Sequence, residues 1–134
     1  MRYKRLSYQY LVMSSSGLRP LTHAALDLGP GLAQLVWRPA ADVYETAGAV
    51  VVTVELPGVD EDDIDLMLYE DALVLQGLRR LPRPQEDSHY HSAEIRQGSY
   101  RLEVPLRAEI DRENVDARYE RGLLTVTLPK VAPR

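Results

Sequence analysis

From residue 49 onward the chain alternates apolar and polar positions with a period of two. In "AVVVTVEL" (49 to 56), Val50, Val52, Val54 and Leu56 share one face, the pattern of an extended strand with one dry side. The pattern returns in 64–69, where Ile64, Leu66 and Leu68 alternate with Asp65, Met67 and Tyr69, and "ALVLQG" (72 to 77) runs back as its hairpin partner. It recurs in "SYRLEVPL", with Tyr100, Leu102, Val104 and Leu106 set against Arg101 and Glu103. "NVDARYE" offers Val115, Ala117 and Tyr119, and a last strand turns Leu124, Val126 and Leu128 away from Thr125 and Thr127. Pro57-Gly58 suits a type II turn. Glu70-Asp71 makes a second turn, Arg121-Gly122 a third, and Pro129 closes the last strand. About seven short strands with no helices between them predict an all-β fold, an antiparallel β-sandwich of the immunoglobulin-like kind. The cysteines and central tryptophan of true immunoglobulin domains are missing from these strands.

The first 37 residues follow another rhythm. Leu21, Ala24, Ala25 and Leu28 are spaced as on a short amphipathic helix, and Gly29-Pro30-Gly31 ends it. Leu32, Leu35, Val36 and Trp37 then follow, with little local room to bury them. The predicted organisation is an N-terminal arm (1–37), a β domain (38–130) and a short tail (131–134). A chain of 134 residues fits one domain with arms, long enough to bury a core without staples. It has no cysteine, which excludes disulfides and thiolate chemistry and fits a reducing, cytoplasmic location. The basic start has only Leu11-Val12-Met13 as an apolar run, so it reads as mature chain rather than signal peptide. No stretch approaches the roughly 20 apolar residues of a membrane span.

Charge is unevenly spread. Residues 1–37 carry four basic groups and one acidic, Asp27, for +3; residues 38–134 carry 12 basic and 19 acidic, for −7. An acidic body speaks against nucleic acid as partner, since phosphates need a basic stripe. The acidic run Asp60, Glu61, Asp62, Asp63 and Asp65 lacks the glycine of a calcium loop and reads as a solvated turn. His89 and His91 share a face if extended, a spacing that suits zinc, with Glu94 and His23 as the remaining candidate ligands. Interface or surface histidines are the simpler reading, and a pH-sensitive dimer lies between the two. No nucleophile elbow, phosphate-binding glycine loop or H-E-x-x-H motif is present. The expectation is therefore a non-enzyme without cofactor or metal.

Five stretches occur in an order that is specific when taken together: "RPAADVYET" (38 to 46), "VELPGVDEDDIDL" (54 to 66), "ALVLQGLRR" (72 to 80), "EIRQGSYRLEVPL" (94 to 106) and "ARYERGLLTVTLPK" (117 to 130). They resemble the α-crystallin domain of bacterial small heat shock proteins, the Hsp20 family. Leu56, Pro57, Gly58, Gly122 and Leu124 carry the signature. The resemblance implies an ATP-independent holdase of the stress response, which captures partly unfolded proteins and keeps them from aggregating. It further implies a homodimer, in which an insertion strand resembling His89-Tyr90-His91 pairs with the partner's first strand, resembling Asp42-Val43-Tyr44. It places a client-binding or tail-binding groove between strands resembling Ile64 to Leu68 and Val115 to Tyr119. An alternative is a p23-like adaptor that recruits one folded partner.

Three positions depart from the family pattern. The tail "VAPR" has Val131 but Pro133 where a second aliphatic residue is usual, so a dimer or small oligomer is expected rather than a large cage. Leu102 stands where an arginine is frequent, and Leu106-Arg107 where Leu-Pro is usual.

Overall fold

The fold was taken from a computed structural model, which describes residues 2–3, 6–7 and 36–132. The helix expected over 20–28 lies outside the described residues. Two short segments, β1 (Arg2–Tyr3) and β2 (Leu6–Ser7), precede seven longer strands. These are β3 (Ala41–Glu45), β4 (Ala49–Glu55), β5 (Ile64–Leu68), β6 (Ala72–Arg79), β7 (Gly98–Pro105), β8 (Asp116–Glu120) and β9 (Leu123–Pro129). One sheet has the order β1-β8-β9-β4-β3 and the other β2-β5-β6-β7. Apart from β2, which runs parallel to β5, every strand pairing is antiparallel.

The alternation read from the sequence sets the layers. Val50, Val52, Val54 and Leu56 meet Leu124, Val126 and Leu128 from one sheet and Ile64, Leu66, Leu68, Leu73, Leu75, Tyr100, Leu102 and Val104 from the other, in one buried core. The register places Val52 beside Val126 and Leu66 beside Leu75, so each sheet turns a row of branched side chains inward. The expected all-β sandwich is thus present. Leu102 occupies an interior position. Trp37, assigned by its sequence position to an arm with little local room to bury it, is part of this core. Its backbone adds to the edge of β7: Trp37 N–H donates to Ser99 O at 3.1 Å, and Arg101 N–H donates to Trp37 O at 2.9 Å.

The signature residues converge on one knot at the end of the sandwich. Gly58 has φ +75, the value a type II turn requires at its third residue. Leu56 N–H donates to Gly122 O at 2.7 Å, stitching this turn to the β8–β9 hairpin. The Tyr119 hydroxyl donates to Leu56 O at 2.5 Å and accepts from Val59 N–H at 3.3 Å. Gly122 has φ +79, and a Cβ there would lie 2.9 Å from Pro57 Cα. Glycine is needed at 122 for conformation and for closeness alike. Arg121 also has a positive φ, 54, as a two-residue type I′ hairpin demands.

A second fastening was not visible in the sequence. Arg79 is the one buried charged side chain among the described residues. Its Nε and Nη2 donate to Arg96 O, the former at 2.8 Å, and Nη1 reaches Pro57 O at 3.5 Å. The guanidinium lies 4.3 Å from the centre of the Trp37 ring, a cation–π arrangement. One side chain thereby ties together the end of β6, the long loop before β7, the Pro57 turn and the start of the domain.

Gly122→Ala should lower stability by about 2 kcal/mol or more, because strain and the Pro57 contact both resist it. Arg121→Gly, which relieves a positive φ without removing a core contact, should be neutral or stabilising in the same urea titration. Arg79→Met keeps the apolar stem but loses the hydrogen bonds, and should cost about 1–3 kcal/mol. Hydrogen exchange should then show faster amides around Arg96.

Candidate peptide-binding groove and dimer edge

A sandwich of two open sheets ends in edges whose backbone N–H and C=O groups seek partners. At one side of this molecule the edges are β5 and β8, one from each sheet. They bracket the groove expected from the sequence, but its predicted lining is placed differently from an open row of side chains. Ile64, Leu66, Leu68 and Ala117 are buried in the core, while Val115 and Tyr119 are half-buried against it. The Tyr119 hydroxyl is spent on the Pro57 turn. What the two strands offer outward is backbone.

That backbone is engaged by the chain's own start. Arg2 and Tyr3 pair antiparallel with Arg118 and Ala117 on β8. Leu6 and Ser7 pair parallel with Leu66 and Met67 on β5. Residues 2–3 thus extend one sheet and residues 6–7 the other. The sequence did not signal these pairings: two residues in each are too few to show a period.

The opposite side presents β3. Its outer neighbour is absent among the described residues, since it terminates its sheet with β4 on the inner side only. Val43 is 51% exposed and Tyr44 57%, an apolar pair on an unpaired edge. Asp42 is exposed beside them. Glu45, at the end of the strand, is paired with the Lys130 ammonium, which holds β3 against β9. A concavity of about 210 Å³ runs from Val43 and Tyr44 to Pro105 and Leu106 on the other sheet.

The insertion residues His89, Tyr90 and His91 are exposed and belong to no strand within the single chain. The two imidazoles lie 5.1 Å apart, centre to centre. Among the described residues no three acidic, histidine or cysteine side chains group as a metal site would require. Tyr90 is 62% exposed and Ile95 70%. Together with Leu81 and Pro82 they line an apolar hollow of about 360 Å³ in the loop. Two unsatisfied apolar surfaces thus exist in one chain, the β3 edge and the loop before β7.

Among the described residues no helix is long and apolar enough to cross a membrane.

Small heat shock protein C2 of Rickettsia felis is 33% identical over 92 residues, covering 69% of this chain and 60% of that protein. Heat shock protein 16 of Schizosaccharomyces pombe is 37% identical over 95 residues, covering 69% of this chain and 66% of that one. The chain accordingly spans about three-fifths of the length of such relatives. Among solved structures, heat shock protein 16.0 of S. pombe superposes with a TM-score of 0.66 at 34% identity, over 72% of this chain and 90% of that one. A small heat-shock protein of Xylella fastidiosa gives a TM-score of 0.63 at 28% identity, over 73% and 93%. Residues 42–134 match the Hsp20/alpha crystallin family, and the chain belongs to that family.

Proposed function

We propose that this protein is an ATP-independent holdase: a homodimer or small oligomer that binds partly unfolded proteins and delays their aggregation. The observation that carries this reading is the pair of edges β5 and β8, each of which accepts an extended backbone segment, one antiparallel and one parallel. Main-chain pairing of that kind asks for an extended, unpaired chain and little else, which is what unfolded proteins share. A single docked Leu or Ile side chain contributes roughly 1.5–3 kcal/mol. Several weak contacts on a dimer reach useful affinity through avidity. Low selectivity and reversible capture follow from the same chemistry.

The dimer reading rests on β3. A partner's Tyr90 region, extended, would complete that sheet beside Asp42, Val43 and Tyr44 and cover two exposed apolar side chains on each subunit. Strand addition of this kind removes the edge that a monomer would leave open to aggregation. Membership of the family and the absence of any catalytic constellation in the sequence favour this reading over an enzyme. Nothing in the fold singles out one folded partner, as the adaptor alternative would require.

Heating a thermolabile enzyme with an equal number of subunits of this protein, without ATP, should suppress light scattering. Unchanged scattering would refute the holdase reading. The double variant Val43→Asp/Tyr44→Asp should halve the solution mass measured by light scattering, with its circular dichroism preserved, because edge charges forbid strand addition. A mass equal to that of the parent protein would place the dimer elsewhere.

A further inference from the structure

The four-stranded sheet is buried on its inner face and, over β5 and the start of β6, on its outer face as well, while Glu103 and Pro105 on the β7 side of that outer face are exposed. Its inner face carries Ile64, Leu66, Leu68, Leu73 and Leu75, all in the main core. Its outer face carries a separate buried cluster, Met67, Tyr69, Ala72 and Val74. Register settles that the cluster is on the far side: Met67 lies beside Val74, and both alternate with the core pair Leu66 and Leu75. Tyr69 and Val74 are 0% exposed and Met67 is 3%. The polar groups of the same face, Asp65, Arg101 and Glu103, are engaged as well. Yet the described elements supply no layer there. The other sheet lies across the core, and Pro82 to Gln97 are exposed throughout.

The path of the chain says what belongs on this face. Ser7 stands beside Met67 on β5 in a parallel pairing, so the chain leaves β2 heading the way β5 runs, toward Leu68 and Tyr69. It returns at Trp37, which bridges to Tyr100 on β7. β5 and β7 are the two outer strands of the same three-strand block, with β6 between them. Residues 8–35 join these two points in the sequence. The inner route is filled by the core. The outer route is about 10 Å across, two strand spacings. A segment of 28 residues reaches about 42 Å even when fully helical, enough to lie over the face as a layer rather than cross it as a thread. Its composition suits a dry surface: Arg19 and Asp27 are its only formal charges, and Leu21, Ala24, Ala25, Leu28, Leu32 and Leu35 are apolar.

We propose that the outer face of β5–β6–β7 is a docking surface for residues 8–35 of the same chain, with Met67, Tyr69, Ala72 and Val74 as its apolar floor. The arm, strapped at one end by β2 and anchored at the other by Trp37, covers in cis an oily patch that adjoins the β5 edge. The inference concerns intramolecular packing and does not depend on holdase activity.

The absence of cysteine makes a chemical test selective. In the full-length chain, Gln76→Cys places a thiol at the half-buried rim of the patch; it is coupled to a benzophenone maleimide and irradiated. The protein is prepared by co-refolding ordinary and nitrogen-15 labelled subunits, and crosslinked peptides are assigned by mass. The expected result is crosslinks to peptides within 8–35 that carry the same isotope label as residue 76. Crosslinks to arm peptides of mixed label would overturn the proposal in favour of a swapped arm. Crosslinks confined to residues 36–134 would overturn it outright. In a second measurement, Val74→Cys should react with a soluble maleimide roughly ten-fold or more slowly than the exposed control Ile95→Cys, as protection by a folded layer requires. Equal rates, with circular dichroism unchanged, would show that the face is open and sink the idea.

Discussion

A two-layer β-sandwich leaves four sheet edges, and every backbone donor and acceptor along them must find a partner in protein or water. This constraint organises the whole molecule. The β7 edge is met by the backbone of Trp37. The β8 edge is met by residues 2–3 and the β5 edge by residues 6–7. β3 has no outer neighbour at all among the described residues, and it is the strand that shows Val43 and Tyr44 to solvent. A holdase reading and a dimer reading are two answers to the same question, namely which chain completes which edge. The edges by Leu66 and Ala117 take up extended backbone from within, and the one by Tyr44 asks for it from outside.

The knot around Pro57 explains why the family signature has the residues it has. Leu56 gives an N–H to Gly122 O and a carbonyl to the Tyr119 hydroxyl. Gly122 can approach Pro57 because it has no side chain. These contacts link a turn near the middle of the sequence to a hairpin near its end, joining the β4 end of one sheet to the loop that leads into the other. Arg79 extends the knot to Trp37 and Arg96. The Arg79 end of β6 and the domain entry are fixed there, while β3 shows Val43 and Tyr44 at one side of the sandwich and β1 and β2 pair with β8 and β5 at the other.

Much of this was legible from alternation alone. Val50 through Leu56 and Leu124 through Leu128 fall on the inner face the period of two assigns them, and Pro57-Gly58 and Arg121-Gly122 turn where their chemistry says they must. The outer cluster was harder to read. "IDLMLY" begins with a true alternation, Asp65 being polar, and the eye carries that rhythm on to Met67 and Tyr69 as though they faced water. Met67 and Tyr69 opposite Ala72 and Val74 are the mark of a sheet covered on both faces, where apolar residues run without interruption. Trp37 was misplaced for a related reason: it pairs by a single bridge, and one bridge has no period. Arg79 carries no sequence signal, because the same arginine on any exposed strand end would look identical. The β1 and β2 pairings and the dimer edge belong to a third class, since which backbone fills an edge depends on tertiary path and partner, not on local pattern.

The short tail gains a meaning from the other end of the chain. In the family pattern a C-terminal pair of aliphatic residues serves the groove of a neighbouring dimer, and here Val131 is followed by Ala132 and Pro133. Val131 is also tied down, its N–H donating to Glu109 O at 2.9 Å, which spends one backbone donor that a docking tail would need. The groove is meanwhile supplied from the N-terminus, by Tyr3 beside Ala117 and Leu6 beside Leu66. A segment paired in cis competes with any incoming extended chain at high effective concentration. Backbone near both ends of the described residues is thus tied to the sandwich itself, at β8 and β5 by β1 and β2 and at Glu109 by Val131. On the holdase reading proposed above, an unfolded client would compete against only two paired residues on each edge.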